Sequence, residues 1–252
     1  MTTHSCNMLK DNLILRGAEQ KIDDFNRIGL HYNLIASSVY KKRSTCADPF
    51  DRSFTQYIIA GLISFDMGRM MGTDKYKMEG NGFGSRLNSK LQEIKPILTR
   101  LMNLSLTEID LQQHKDAIVK AYDNLSAEGT GALNENCKEH FHVGATKILH
   151  FLNPKLFIIV DSNAAKAFRK AHNVKFRKGT QPGYSSQRYI ECMECAQRDI
   201  LTYKRDHSEG FEALERDTPI TKIYDKLTFI TGTHFDESDL MLKKEANGED
   251  QY

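Results

Sequence analysis

The chain has 252 residues, of which 40% are hydrophobic and 27% charged, with a formal net charge of +2. That length suits one large domain or two small ones, and the composition is ordinary for a globular protein. No apolar run reaches the roughly eighteen residues a helix needs to span a bilayer, so a membrane-spanning helix is not expected.

The start, MTTHSCNMLKDNLILRG, has no long apolar block behind a basic end. A signal peptide is therefore not expected, and a cytoplasmic location is. Cys6, Cys46, Cys137, Cys192 and Cys195 are odd in number and scattered, which favours free thiols over a disulfide framework. The small net charge conceals a polarised chain. Residues 144–190 carry nine bases and one acid, whereas residues 191–252 carry eight bases and fifteen acids. A block as basic as the first attracts polyanions, of which phosphate backbones are the commonest.

In chain order the periodicity is helical. AEQKIDDFNRIGLHYNLIASSVYKK places Ile22, Phe25, Ile28, Leu30 and Leu34 on one apolar face, with Gly29 as an irregularity. SFTQYIIAGLISFDMGRMMG does the same with Phe54, Tyr57, Ile58, Leu62 and Phe65, ending near Gly72. In the loop that follows, Gly80, Gly82 and Gly84 alternate, with Arg69, Lys75, Lys77 and Arg86 nearby. Such a loop is either a plain connection or a contact for an anion.

SRLNSKLQEIKPILTRLMNL predicts a helix capped by Ser85 and broken or kinked at Pro96. SLTEIDLQQHKDAIVKAYDNLS predicts two short helices or one interrupted helix, with a capping box from Ser105 to Glu108. GATKILHFLNP gives a short helix closed before Pro154, and KLFIIV is either a short strand or a buried extended connection.

Asp161-Ser162-Asn163 are caps for the helix AAKAFRKAH, and SQRYIECMECAQRDILTYKR forms the next helix. The last predicted helix, PITKIYDKLTFITGT, starts at Pro219. The expected organisation is one mainly α domain over residues 1–240, with two possible lobes at about 1–130 and 131–240. A polar, frayed tail is expected at 241–252.

Within this frame HVGATKIL, an apolar run and VDSNAAKAF resemble the helix-hairpin-helix DNA glycosylases. In that family a glycine-bearing hairpin precedes a helix, and a short connection delivers an essential Asp at the start of the next one. Val143-Gly144 stands at the hairpin's end, Thr146-Lys147 at the helix entrance and Val160-Asp161 at the acid. The resemblance implies a helical fold with little or no sheet, and excision of a damaged or modified base from DNA. It fits repair and attack on modified foreign DNA equally.

The resemblance also implies Asp161 as the catalytic carboxylate, with Gly144, Thr146 and Lys147 around a phosphate. Bifunctional members carry a nucleophilic lysine two positions after the hairpin glycine. This chain has Thr146 there and Lys147 one place later, so a monofunctional enzyme is implied, with Lys147 as a secondary catalytic candidate.

The chemistry stands without the family. Breaking an N-glycosidic bond develops positive charge on the sugar, and a shielded carboxylate stabilises it and orients water. The competing reading is that Asp161 is an N-cap and nothing more, on a non-enzymatic nucleic-acid-binding protein. A small-ligand hydrolase using the glycine-rich loop is a third reading.

Lys166, Arg169, Lys170, Lys175, Arg177 and Lys178 follow without an acid among them and are the expected DNA-binding segment. Cys137, His140 and His142 with Cys192 and Cys195 lack the spacing of a zinc site, and two C-terminal cysteines are too few for an iron–sulfur cluster. No metal or other cofactor is expected; DNA is the expected partner of a monomer.

Overall fold

The computed structural model describes residues 12–65, 82–127, 141–176, 184–207 and 218–247. Among them are nine α-helices and no strand, in line with the mainly α class. They are α1 Ala18–Ile28, α2 Leu30–Thr45, α3 Arg52–Phe65, α4 Phe83–Leu98, α5 Leu111–Ser126, α6 His142–Leu152, α7 Ser162–His172, α8 Ser186–Asp206 and α9 Ile220–Asn247.

The centre is α6, in which every residue from Gly144 to Leu152 is buried. A helix that is covered on all sides has neighbours all round. Here α5 lies along it, and α2 and α3 also pack against it. Gly61 lets α3 come close, because a Cβ at that position would sit 2.6 Å from the Phe151 ring. The end of α6 is closed by side chains from elsewhere. Arg43 Nε donates to Leu152 O at 2.7 Å, and Asn153 Nδ2 donates to Leu101 O and Leu104 O at 2.8 and 2.9 Å.

Several boundaries differ from the sequence expectation, each for a local reason. The first predicted helix is two. Its chain breaks at Gly29, so Ile22 and Phe25 are buried while Ile28 and Leu34 are 61% and 63% exposed. Pro96 does not break α4, since it falls in the last turn before a 3-10 turn at Thr99–Leu101. Ser85 lies inside α4, whose cap is Gly82. The segment after Ser105 makes a turn, and α5 starts later, capped by Asp110 through the amides of Gln112 and Gln113. Backbone helix continues to Asn247, beyond residue 241 where composition predicts a frayed tail.

Among the described residues the most extensive helix–helix packing is between α7 and α9. Gly232 of α9 touches the backbone at the start of α7, where a Cβ would lie 2.1 Å from Asn163 O. The obstacle is a carbonyl of a fixed helix turn, not a movable side chain. Gly232→Ala is expected to lower stability by about 1–3 kcal/mol despite alanine's better helix propensity, measured by urea unfolding.

The far end of the same pair is tied through Asp199. Its Oδ2 accepts from His172 Nε2 at 2.8 Å and from Tyr224 OH at 2.6 Å, and its Oδ1 accepts from Asn12 Nδ2 at 2.8 Å. Three donors satisfy one buried carboxylate, which locks α7, α8, α9 and the N-terminal turn together.

Candidate active site

The segment Leu156–Val160 reaches the site as a buried extended connection, not a strand. Without a sheet its backbone polar groups need other partners, and side chains provide them. Tyr189 OH donates to Ile158 O at 3.0 Å, and Val160 N donates to Thr146 Oγ1 at 3.2 Å. His150 Nδ1 lies 2.7 Å from Phe157 O, so this nitrogen carries the proton and Nε2 accepts from Tyr40 OH at 2.6 Å.

Burial lowers the His150 pKa to about 4, so the ring is neutral in the fold. The unfolded chain takes up a proton near pH 6.5 that the folded chain refuses until about pH 4. This group's contribution is therefore present above pH 6.5 and lost as pH falls across that window, by up to about 3 kcal/mol. Unfolding free energies measured from pH 7 to 4 should show that slope, and a His150→Gln variant should flatten it.

The connection ends at Asp161, the N-cap of α7. Its Oδ1 accepts from Asn163 N at 3.0 Å and Ala164 N at 2.9 Å, so the cap leaves Oδ2 unused. The carboxyl faces a cavity of about 240 Å³. Phe25, Tyr32 and Phe229 give it aromatic walls, Gly29 and Ser64 fill in between, Asp225 faces it from α9, and exposed Ile28 stands at the rim. The rings of Phe25 and Tyr32 meet edge to face at 5.8 Å, as do those of Phe25 and Phe229 at 5.4 Å.

Burial raises the Asp161 pKa, and the neighbouring Asp225 raises it further. The two backbone amides and Lys147 oppose this. Asp225 is held by Lys222, whose Nζ donates to Oδ2 at 2.6 Å, and by Tyr32 OH at 3.3 Å. The Lys222 ammonium also sits 3.4 Å from the centre of the Tyr32 ring. Burial brings the Lys222 pKa down to about 8, although Asp225 pulls the other way.

Comparisons with protein-family models, with curated proteins and with solved structures find no match.

The residues singled out in the sequence fall into three groups. Asp161 and Lys147 come together, since Lys147 is within electrostatic reach of the carboxyl. Gly144, Thr146 and Lys147 lie in the first two turns of α6, which starts at His142, and all three are buried, while the residues just before Phe141 lie outside the described ones. Gly144 lies under the Phe141 ring, and Thr146 holds Val160, one residue before the acid.

The basic set lies further along the helix that Asp161 caps. Arg169 and Lys170 are exposed on α7, Lys175 is exposed just beyond it, and Lys166 is half-buried. Arg169 follows Asp161 by eight residues, about 12 Å along the axis. Asn173, with φ of 56°, ends α7 in the left-handed conformation that asparagine tolerates. Arg177 and Lys178 lie outside the described residues, as do Gly80, Cys137 and His140. Cys192 and Cys195 are buried on α8. Burial pushes the Cys192 thiol well up and that of Cys195 to about 11, so both are inert at neutral pH.

Sequence reasoning missed Asp225, Lys222, Tyr32, Phe25 and Phe229. One signal was available. Lys222 and Asp225 are three apart in a helix whose remaining residues from Ile220 to Leu227 are largely apolar, and charges in such a setting pair inside a fold.

Chemically, the arrangement offers a desolvated carboxylate with one free oxygen beside an aromatic-walled cavity. That oxygen stabilises a neighbouring positive charge or holds a water, and the rings accept a planar guest.

Proposed function

We propose that the chain is a monofunctional DNA N-glycosylase of helix-hairpin-helix type, with Asp161 as its catalytic carboxylate. The observation that carries this reading is that Asp161, whose cap bonds use Oδ1 alone, is among the residues lining the cavity walled by Phe25, Tyr32 and Phe229. A base extruded from the stack would lie among those rings, with its sugar at the Asp161 end. As the glycosidic C–N bond breaks, the pair of electrons leaves with the base and positive charge grows on the sugar. The carboxylate stabilises that charge and orients a water, whose oxygen bonds to the sugar carbon while its proton is released. The products are a free base and an abasic deoxyribose.

The exposed bases Arg169, Lys170 and Lys175 grip the strand in this proposal, and Lys147 acts from inside, favouring the ionised form of Asp161. The protein works as a cytoplasmic monomer on DNA without a cofactor. Among the described residues no helix is long and apolar enough to cross a membrane.

The test is incubation with duplexes carrying single modified bases, including hydroxymethylated and glucosylated cytosine, followed by hot alkali. Strand cleavage by wild type and not by Asp161→Asn is expected. Because the Asp161 pKa is raised, the proton that silences it returns above the ordinary carboxylate range. Activity should therefore fall on acidification with a midpoint higher than an exposed aspartate gives, read from the pH dependence of kcat/KM.

A second reading keeps support from the cap itself: a non-enzymatic nucleic-acid-binding protein in which Asp161 only starts α7. It predicts salt-dependent DNA binding and no abasic sites on any substrate.

A further inference from the structure

A second cavity, also of about 240 Å³, lies on the other side of the Tyr32–Lys222–Asp225 partition, where α1 and α2 meet the start of α9. Its lining includes Lys226 and Lys222 with Asn26, Asn33, Ser37 and Tyr40. Lys226 is buried, yet among the described residues its Nζ donates to one acceptor, Asn26 Oδ1 at 2.8 Å. An ammonium has three donors to place, and a buried one with a single neutral amide acceptor is undercompensated.

The carboxylate within its reach, Asp225, is already bonded to Lys222 and Tyr32. Lys222 also feels Asp161 from the other cavity, so Lys226 is the ammonium whose one bonded acceptor is neutral. The first turn of α9 adds the positive end of a helix at the same place. Ser37 is exposed, and Asn33, which also lines the cavity, donates its Nδ2 to the same Asn26 Oδ1 at 3.3 Å. The lining thus sets two ammoniums and an exposed hydroxyl around one cavity, a set suited to an anion with several acceptor oxygens.

We propose that this cavity is a phosphate-binding site, with Lys226 as its principal ligand. It is separate from the Asp161 cavity and does not depend on glycosylase activity.

The test is thermal unfolding of the full chain in sodium phosphate against sodium chloride of equal ionic strength, together with phosphate binding by calorimetry. Saturable stabilisation by phosphate is expected for wild type. Lys226→Met should weaken phosphate binding about tenfold or more, as loss of a charge-assisted contact does. Ser37→Asp, at an exposed position that leaves the fold intact, should abolish the effect by placing a carboxylate in the lining.

Adding a 5′-phosphorylated dinucleotide and its unphosphorylated counterpart separates sources. Protection by inorganic phosphate marks a free-ion site, and protection by the phosphorylated dinucleotide alone marks a nucleotide-borne group. Equal response to phosphate and chloride with no dinucleotide effect, or equal phosphate binding by wild type and both variants, overturns the proposal.

Discussion

Asp161→Asn is expected to lower abasic-site formation by about 10²–10³-fold, the loss typical of removing one preorganised electrostatic group from a reaction centre. The same change is expected to leave the protein as stable as wild type near neutral pH, or more so. Asparagine is as good an N-cap as aspartate, so the bonds from Asn163 N and Ala164 N survive. Ionised Asp161 sits in a desolvated place facing a second acid, and its pKa is raised for both reasons. An acid whose folded pKa is raised gives its full stability below its unfolded pKa and loses it as pH climbs through the folded one. The loss grows as pH climbs through that raised pKa, and the amide does not suffer it. Activity and melting temperature of the same preparation decide the matter. A merely structural Asp161 predicts that the asparagine variant leaves activity unchanged.

Lys222→Met is expected to destabilise the fold by about 3 kcal/mol or more, the usual effect of stripping one partner from a buried ion pair. Lys222 and Asp225 are 2% and 6% exposed, and Lys222 Nζ meets Asp225 Oδ2 at 2.6 Å. Without the ammonium, Asp225 keeps the Tyr32 hydroxyl and the more distant charge of Lys226, and it lines the same cavity as Asp161. Two carboxylates in one pocket do not both ionise easily, so the acid limb of activity should move to higher pH as well. The double variant Lys222→Met with Asp225→Asn should recover much of the stability, since the stranded charge is gone. Urea unfolding of the two single variants and the double variant measures this, and strictly additive losses would contradict the pairing.

Much of the helical frame was legible because it rests on local rules. Leu87, Leu91, Ile94 and Leu98 repeat at helical spacing and are all buried, and Asp161-Ser162-Asn163 starts α7 as its cap pattern predicts. Local rules failed where tertiary contacts took over. The period running through Ile28 and Leu34 carries across Gly29 in the sequence but not in space. The six residues KLFIIV left a strand and a buried extended connection open, and the connection holds because its carbonyls and amides are met by Tyr189, His150 and Thr146. No spacing in the sequence announces that.

The candidate site divides the same way. Asp161 stood out as a lone acid in a basic block, while its surroundings come from α1, α2 and α9. Phe25 and Asp225 are two hundred positions apart, and only folding makes them neighbours. Gly144 and Thr146 drew attention by resemblance, and they act one step behind the acid, under a ring and beneath a backbone amide.

The central claim is that the Asp161 carboxylate works on an N-glycosidic bond, and the release of free base measures it most directly. Duplexes bearing a panel of modified bases should yield free base and one alkali-labile site per excision with wild-type protein, and neither with Asp161→Asn. Binding of the same duplexes by both proteins with no base released from any of them would contradict it.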